Sequence, residues 1–187
     1  IRDRRAVVAS LLNIGSLCTD YVYGVPALAR AGETIDSRSR EVFPGGKGLN
    51  QSISAARAGA DVRHYGAIGP DGEELVSYLT EAGVDTQGIA RTDVASGHAF
   101  IQVDAQGQNA IIIHGGSNRV LSAETWERAI GSAEDGDWLL LQNETNGIAE
   151  IIGHAAASPL RTAINIAPAD PGAVSYTHLR AHETADN

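Results

Sequence analysis

Residues 44–51 read Pro44-Gly45-Gly46-Lys47-Gly48-Leu49-Asn50-Gln51, and they join a strand-like segment to a helical one. The three glycines let the backbone approach a ligand closely and adopt conformations that other residues avoid. We expect the first turn of the following helix to direct free N–H groups at that ligand. Lys47 adds a positive charge, and Asn50 adds both a hydrogen-bond donor and an acceptor. The motif therefore predicts a site for a polyhydroxylated molecule.

Two nucleotide-binding motifs fit the chain poorly. A P-loop requires Ser or Thr after its lysine, but Gly48 follows Lys47. A dinucleotide-binding turn requires Gly-x-Gly-x-x-Gly after the first strand, but the sequence there is Gly15-Ser16-Leu17-Cys18-Thr19-Asp20. The remaining alternative is a glycine-rich turn that caps a helix and binds nothing.

Strand-like and helical segments alternate outward from this motif. Apolar, β-branched runs predict buried strands at 6–14, 62–68, 138–141 and 162–166. Helical spacing of apolar residues predicts helices at 47–58, 71–82, 146–157 and after the capping residue Ser122. This order is typical of a doubly wound α/β fold with a parallel sheet. Short strand pairs within 21–43 and 98–114 interrupt the order, and we expect them to pair with each other as a small separate sheet.

Composition limits the function classes. The chain has 187 residues, a net charge of −9 at pH 7 and no apolar run long enough to span a membrane. The negative charge argues against binding of nucleic acid and is compatible with binding of a small polar ligand. The single cysteine, Cys18, excludes an internal disulfide and fits a reducing compartment, which predicts a cytoplasmic protein. The only lysine, Lys47, lies in the glycine-rich motif.

The glycine-rich motif and the residues that follow it up to Ala60 resemble the first signature of the ribokinase-like (PfkB) carbohydrate kinase family. Other segments resemble family motifs in the same order and spacing. These segments are Gly15–Asp20, Gly32-Glu33-Thr34, Gly66–Gly72, Asn118, Gln142-Asn143-Glu144 and Asn165-Ile166-Ala167-Pro168-Ala169. The resemblance covers about residues 6–172 and is nearest to the ribokinase branch of the family.

The resemblance implies a three-layer α/β/α core with a parallel sheet and a small β-sheet lid. It also implies transfer of the ATP γ-phosphoryl group to a sugar hydroxymethyl group, and ribose is the leading candidate for that sugar. Fructose, a deoxy-keto sugar acid and a nucleoside remain alternatives. ATP, Mg²⁺ and a monovalent cation are the implied cofactors, and a homodimer formed through the lid is the implied assembly. Such chemistry relies on positioning, charge stabilisation and a base near the attacking hydroxyl.

The resemblance also assigns the substrate-binding residues, which are Cys18, Asp20, Gly46, Lys47, Gly48, Asn50 and Glu144. Asp20 is expected to accept hydrogen bonds from two vicinal hydroxyls, and its alternative role is to cap a loop. The alternative for Glu144 is a surface carboxylate before Asn146, the predicted cap of helix 146–157.

Cys18 departs from the family pattern, which places Asn at this position. A thiol is a weak hydrogen-bond partner, so either one ribose contact is lost or the substrate differs. A reactive role for the thiol would need a basic environment, which the sequence does not show. His98 and His114 lie on the predicted small sheet, where we expect ordinary surface histidines.

The second signature of the family, roughly Asp-Thr-x-Gly-Ala-Gly-Asp, does not occur in the chain. By resemblance it holds the catalytic base, so we expect residues 1–173 to supply the sugar-binding half of a kinase truncated after about its first half, without a catalytic residue. Val174–Thr184 resembles a translated transposase adaptor from sequencing libraries, which predicts that residues 174–187 are not native and that His178 and His182 are not a metal site. A non-catalytic sugar-binding half-domain is the second functional hypothesis.

Overall fold

The computed structural model describes residues 9–168 of the chain. Nine strands and four α-helices follow one another in this range. The strands are β1 (Ser10–Ile14), β2 (Cys18–Gly24), β3 (Ser39–Gly45), β4 (Asp61–Ile68), β5 (Asp85–Arg91), β6 (Gly97–Val103), β7 (Asn109–His114), β8 (Trp138–Gln142) and β9 (Arg161–Asn165). The helices are α1 (Lys47–Arg57), α2 (Glu73–Glu81), α3 (Ala123–Gly131) and α4 (Ile148–Ala156), with a short 3-10 helix at Gly116–Arg119.

Five strands form a parallel sheet in the order β5-β4-β1-β8-β9. Side chains alternate between its two faces, as the pleat of a strand requires. On one face, Val62 and Ile68 of β4 pack in a core cluster with residues of α1 and α2. On the other face, Tyr65 and Ala67 pack in a second cluster with residues of α3 and α4. The predicted α/β/α layers and parallel sheet are therefore confirmed.

The remaining strands form a second sheet in the order β3-β2-β6-β7. Its central pair, β2 and β6, is parallel, whereas the two outer pairs are antiparallel. This small sheet is the one that the interrupted strand order predicts. Several of its large apolar side chains are exposed, namely Val42, Phe43, Phe100, Ile111, Ile112 and Ile113. Homodimer formation through this sheet stays a prediction.

The sequence prediction misses one strand and misplaces one helix cap, and Ser122, the N-cap residue of α3, makes no side-chain capping hydrogen bond. Strand β5 was not predicted, so the parallel sheet has five strands in the described range where the pattern indicated four. Helix α4 begins at Ile148 after Gly147, whose φ of 75° is left-handed, and Asn146 does not cap it. The Asn146 side chain instead bonds the Leu121 N–H and C=O, at 2.8 and 2.9 Å.

Strand β1 occupies the C-terminal part of the predicted strand 6–14, whose first three residues lie outside the described range. The predicted adaptor-like tail, 174–187, also lies outside it. Within residues 9–168, none of the helices combines the length and the apolar character that a membrane crossing requires.

Candidate functional site

One cleft separates the small sheet from the carboxyl ends of the parallel strands, where ligands bind in open α/β sheets. Ten residues line it, namely Cys18, Asp20, Gly46, Lys47, Asn50, Ala99, Ile101, Ile111, Ile113 and Glu144. Six of the seven residues predicted from the sequence are in this set. They come from segments up to 126 residues apart, so only the fold brings them together.

Glu144, which follows β8, anchors the glycine-rich motif. Its carboxylate accepts hydrogen bonds from the Ser16 hydroxyl at 2.5 Å, the Lys47 backbone N–H at 2.9 Å and the Lys47 ammonium at 2.6 Å. Burial opposes ionisation of Glu144, but these hydrogen bonds outweigh burial and hold its pKa below the ordinary value. The side chain is only 12% exposed, which excludes the alternative of a surface carboxylate.

The first turn of α1 does not offer free N–H groups to a ligand, contrary to the expectation from the sequence. The Lys47 N–H donates to Glu144, and the Gly48 N–H donates to the Ser16 hydroxyl at 3.2 Å. The Leu49 N–H donates to the Ser16 carbonyl at 2.9 Å. The protein thus satisfies the helix end itself. Side chains, rather than this helix end, are left to recognise a ligand.

Gly48 is the one predicted site residue that does not line the cleft. It is buried behind the cleft against the loop after β1. A Cβ on Gly48 would overlap the Ser16 nitrogen and the backbone of Gly15. The absence of a side chain therefore serves the close approach of α1 to this loop. Gly46 does line the cleft, and its φ of 94° is one that glycine adopts readily.

Asp20 and Asn50 provide the free polar groups of the cleft. Asp20 lies within β2, opposite Phe43 and Ala99. Burial, followed by the nearby Glu144, raises the pKa of Asp20, whereas Lys47 opposes that rise. Within residues 9–168 neither the Asp20 carboxylate nor the Asn50 amide forms a hydrogen bond, and Asp20 does not cap a loop. Both groups are therefore free to bind a ligand.

A buried polar network lies beneath the motif and was not predicted. The Asn13 amide donates to the Gly48 carbonyl at 2.8 Å and to the Ser52 hydroxyl at 2.7 Å. The Gln142 amide donates to the Asn13 oxygen at 2.8 Å and to Gln51 at 2.7 Å. These bonds join β1, β8 and α1. They fix the motif relative to the strand ends that carry the cleft.

Cys18 lies on the floor of the cleft and is 6% exposed. Burial and the nearby carboxylates of Glu144 and Asp20 raise the pKa of its thiol to about 12. The thiol is therefore neutral, which is the opposite of what a reactive cysteine requires. Asn118 donates to the sulfur at 3.5 Å, and it also bonds the backbone N–H and C=O of Leu17 at 3.0 and 2.8 Å.

The apolar wall of the cleft was also missed. Ala99, Ile101, Ile111 and Ile113 face the cleft from β6 and β7. The alternation along these two strands was the signal that could have identified them. His98 and His114 point to the opposite face of the small sheet, where their rings are 5.1 Å apart. They do not contribute to the cleft, in agreement with the expectation of surface histidines.

Comparison with known proteins gives consistent matches. Residues 8–146 match the family described as pfkB family carbohydrate kinase. A ribokinase from Haemophilus influenzae is 33% identical over 165 residues, which are 86% of this chain and 54% of that protein. A ribokinase from Staphylococcus aureus is 34% identical over 162 residues, which are 83% of this chain and 53% of that protein.

Among solved structures, the chain is similar to the crystal structure of ribokinase from Cryptococcus neoformans var. grubii serotype A in complex with ADP. The TM-score is 0.79 at 34% identity, and the match covers 90% of this chain and 52% of that one. The chain thus spans about half the length of the relatives that it matches.

Proposed function

Because the chain belongs to the pfkB family of carbohydrate kinases, we propose that it is the sugar-binding part of an ATP-dependent kinase acting on a sugar hydroxymethyl group. Conversion of ribose to ribose 5-phosphate is the first candidate reaction, since the matched relatives include ribokinases. One observation carries the proposal. Asp20, Lys47, Asn50 and Glu144 meet in a single cleft.

The side chains of the cleft suit a polyhydroxylated ligand. The two Asp20 oxygens accept hydrogen bonds from two vicinal hydroxyls, while the Asn50 amide both donates and accepts. Lys47 is held in place by its 2.6 Å ion pair with Glu144. The lining residues carry two carboxylates against one ammonium group, so a neutral sugar suits the cleft better than a sugar acid.

In the proposed reaction, the hydroxymethyl oxygen attacks the γ-phosphorus of ATP, and the bond from that phosphorus to the β,γ-bridging oxygen breaks. ADP leaves, and the hydroxyl proton passes to a base. We assign no base among residues 9–168, where the cleft residues orient the sugar.

Mg²⁺ is the metal that the family implies. Within residues 9–168, no group of three or more His, Cys, Asp or Glu side chains could hold a metal ion. We therefore assign no Mg²⁺ ligand among the described residues, and we derive no step through the metal. The use of ATP is supported by the ADP complex of the related ribokinase from Cryptococcus neoformans.

We expect the 187-residue chain by itself to show no kinase activity. It spans about half the length of its relatives, and we assign it no base. A coupled ADP-release assay with a pentose and hexose panel measures this, with a ribokinase as the positive control. Sugar-dependent ADP release that rises with protein concentration would contradict the expectation.

The second hypothesis is a sugar-binding module without catalysis. It is tested in a protein that contains this chain and is as long as the related ribokinases, which we call the full-length protein. The same sugar panel, supplied with ATP, separates the two hypotheses. The kinase proposal requires phosphorylation of at least one sugar. Sugar binding without any ADP release would support the module instead.

In the full-length protein, Asp20→Ala and Asn50→Ala are each expected to raise the KM for the sugar roughly 5- to 150-fold. Each change leaves substrate hydroxyls unpaired, at about 1–3 kcal/mol. Asp135→Ala is the control, because Asp135 is exposed and outside the cleft. Steady-state kinetics at saturating ATP measure the effect. An unchanged KM in both cleft variants would show that these residues do not hold the sugar.

A further inference from the structure

The outer face of the small sheet, which is turned away from the cleft, carries a pair of histidines. His98 of β6 lies directly opposite His114 of β7 in the antiparallel register. The centroids of their imidazole rings are 5.1 Å apart, and the ring planes are inclined by 36°. His114 is exposed and His98 is half-buried. The sheet therefore presents two imidazoles side by side at its surface.

The spacing of the two rings fits a shared metal ion. A zinc–nitrogen bond is about 2.0–2.1 Å long, which places the centre of each bound imidazole about 3.2 Å from the ion. For bond angles of about 90–110° at the metal, the centres of two such rings are about 4.5–5.2 Å apart. The observed separation of 5.1 Å lies within this range. The rings can therefore share an ion after rotation about their own side-chain bonds, without movement of the strands.

The nitrogen atoms of both rings are free to bind an ion. Between residues 9 and 168 neither imidazole forms a hydrogen bond. His98 is instead held by edge-on packing against Phe100 and Tyr21, whose ring centroids are 5.5 and 6.2 Å away. This packing restricts the His98 ring before an ion arrives, which lowers the entropy cost of binding.

Asp71 adds negative charge close to His98, and both side chains line one shallow depression on this face. The Asp71 carboxylate accepts a hydrogen bond from the Ser96 N–H at 2.8 Å. This bond, with a smaller contribution from His98, holds the pKa of Asp71 below its ordinary value. The ionised carboxylate favours a cation nearby. Arg40, a cation that lines the same depression, lies over the Tyr21 ring and is on β3, two strands away from β6.

Imidazole ligands select among metal ions. Zn²⁺, Ni²⁺ and Cu²⁺ bind imidazole well, whereas Mg²⁺ and Ca²⁺ prefer oxygen ligands. No cluster of three or more metal-binding side chains occurs in residues 9–168, so water has to fill the other coordination positions. We propose that His98 and His114 together chelate one divalent transition-metal ion, and that this ion cross-links β6 to β7. The proposal is independent of the proposed kinase function.

The cross-link acts on strands that also build the cleft. Strand β7 is an outer strand of the small sheet, and in the described part of the chain it pairs only with β6. Ala99 and Ile113 are the sequence neighbours of the two histidines, lie opposite each other, and line the cleft from the inner face. An ion on the outer face therefore holds the apolar wall of the cleft together from behind.

The test uses the untagged 187-residue chain and Ni²⁺ as the probe. His178 and His182 lie outside the described residues and are able to bind the same ion, so both are replaced by glutamine in every protein that is measured. Isothermal titration calorimetry at mildly alkaline pH is suitable, because metal binding requires neutral imidazole. We expect one Ni²⁺ to bind per chain. Absence of Ni²⁺ binding would overturn the proposal and leave the kinase proposal intact.

Single variants locate the site. His98→Gln and His114→Gln should each weaken Ni²⁺ binding at least about tenfold, because the second metal–nitrogen bond of a chelate forms within one molecule. His154→Gln is the control, because His154 is an exposed histidine on α4 and its loss should leave the affinity unchanged. Far-UV circular dichroism checks that each variant is folded. Unchanged affinity in either pair variant, or an equal loss in His154→Gln, would show that the pair serves aromatic packing alone.

Discussion

Replacing Gly48 by alanine is expected to destabilise the protein by about 3 kcal/mol or more. The added Cβ would overlap the Ser16 nitrogen and two backbone atoms of Gly15. A flexible side chain could move aside, but these are main-chain atoms at the end of a core strand. Overpacking in a core costs about 1–3 kcal/mol, and occasionally more, when neighbours must shift. Because the atoms that the new Cβ would overlap belong to the backbone, we expect this substitution to lie at the upper end of that range.

Gly153→Ala is the matched control, because Gly153 lies within α4 and a Cβ there would meet nothing within 4 Å. This change should stabilise the protein by roughly 0.5–1 kcal/mol, since alanine is the better helix former. Urea unfolding of both variants, followed by circular dichroism, measures the two effects. Stability of Gly48→Ala within about 1 kcal/mol of the original protein would contradict the close approach of α1 to the loop after β1.

The sequence identified much of the cleft, because its residues sit in motifs with local signatures. Glycines near Lys47 mark a close approach of backbone, whereas Asp20 and Glu144 were assigned through the resemblance of their segments to family motifs. The structure brings these segments to one edge of the parallel sheet. What the motif could not show is the direction of its N–H groups. The Gly48 N–H donates to the Ser16 hydroxyl, and the Lys47 N–H donates to Glu144, which lies 97 residues further along the sequence.

Strand β5 was missed because its sequence, Asp-Thr-Gln-Gly-Ile-Ala-Arg, lacks the apolar alternation of a typical strand. It lies at one edge of the parallel sheet and pairs only with β4 in the described part of the chain. Gly88 lies opposite Tyr65, and a Cβ there would overlap the tyrosine ring. Tertiary pairing, rather than local propensity, therefore forms this strand. No pattern within the segment itself indicates it.

The polar network beneath the motif was unpredictable for a related reason. Asn13 and His64 interrupt apolar strands, and their partners come from α1 and β8. Each residue alone fits an ordinary surface position or a turn. In the structure the network is buried, and the side chain of His64 is fully enclosed. This burial has a consequence for stability, because an enclosed imidazole resists protonation.

His64 is expected to make the protein less stable in mild acid. Burial lowers its pKa from 6.5 to about 4, while the Gly15 carbonyl near Nε2 opposes that shift without forming a well-aligned hydrogen bond. Nδ1 is 2.8 Å from the Ser52 hydroxyl. Between these two pKa values the unfolded chain binds a proton that the folded chain does not. Stability therefore falls as the pH falls from about 6.5 toward 4, by roughly 3 kcal/mol in total, and this contribution levels off below pH 4.

The variant His64→Phe keeps an aromatic ring of similar size and removes the titrating group, so we expect it to flatten the dependence of stability on pH. Its stability at neutral pH should drop by roughly 1 kcal/mol, because the hydrogen bond with Ser52 is lost. Its change between pH 7 and pH 5 should nevertheless be smaller than that of the original protein. Urea unfolding at half-unit steps over this range measures the difference. Equal slopes for the original protein and His64→Phe would show that His64 is not the group that couples protonation to unfolding.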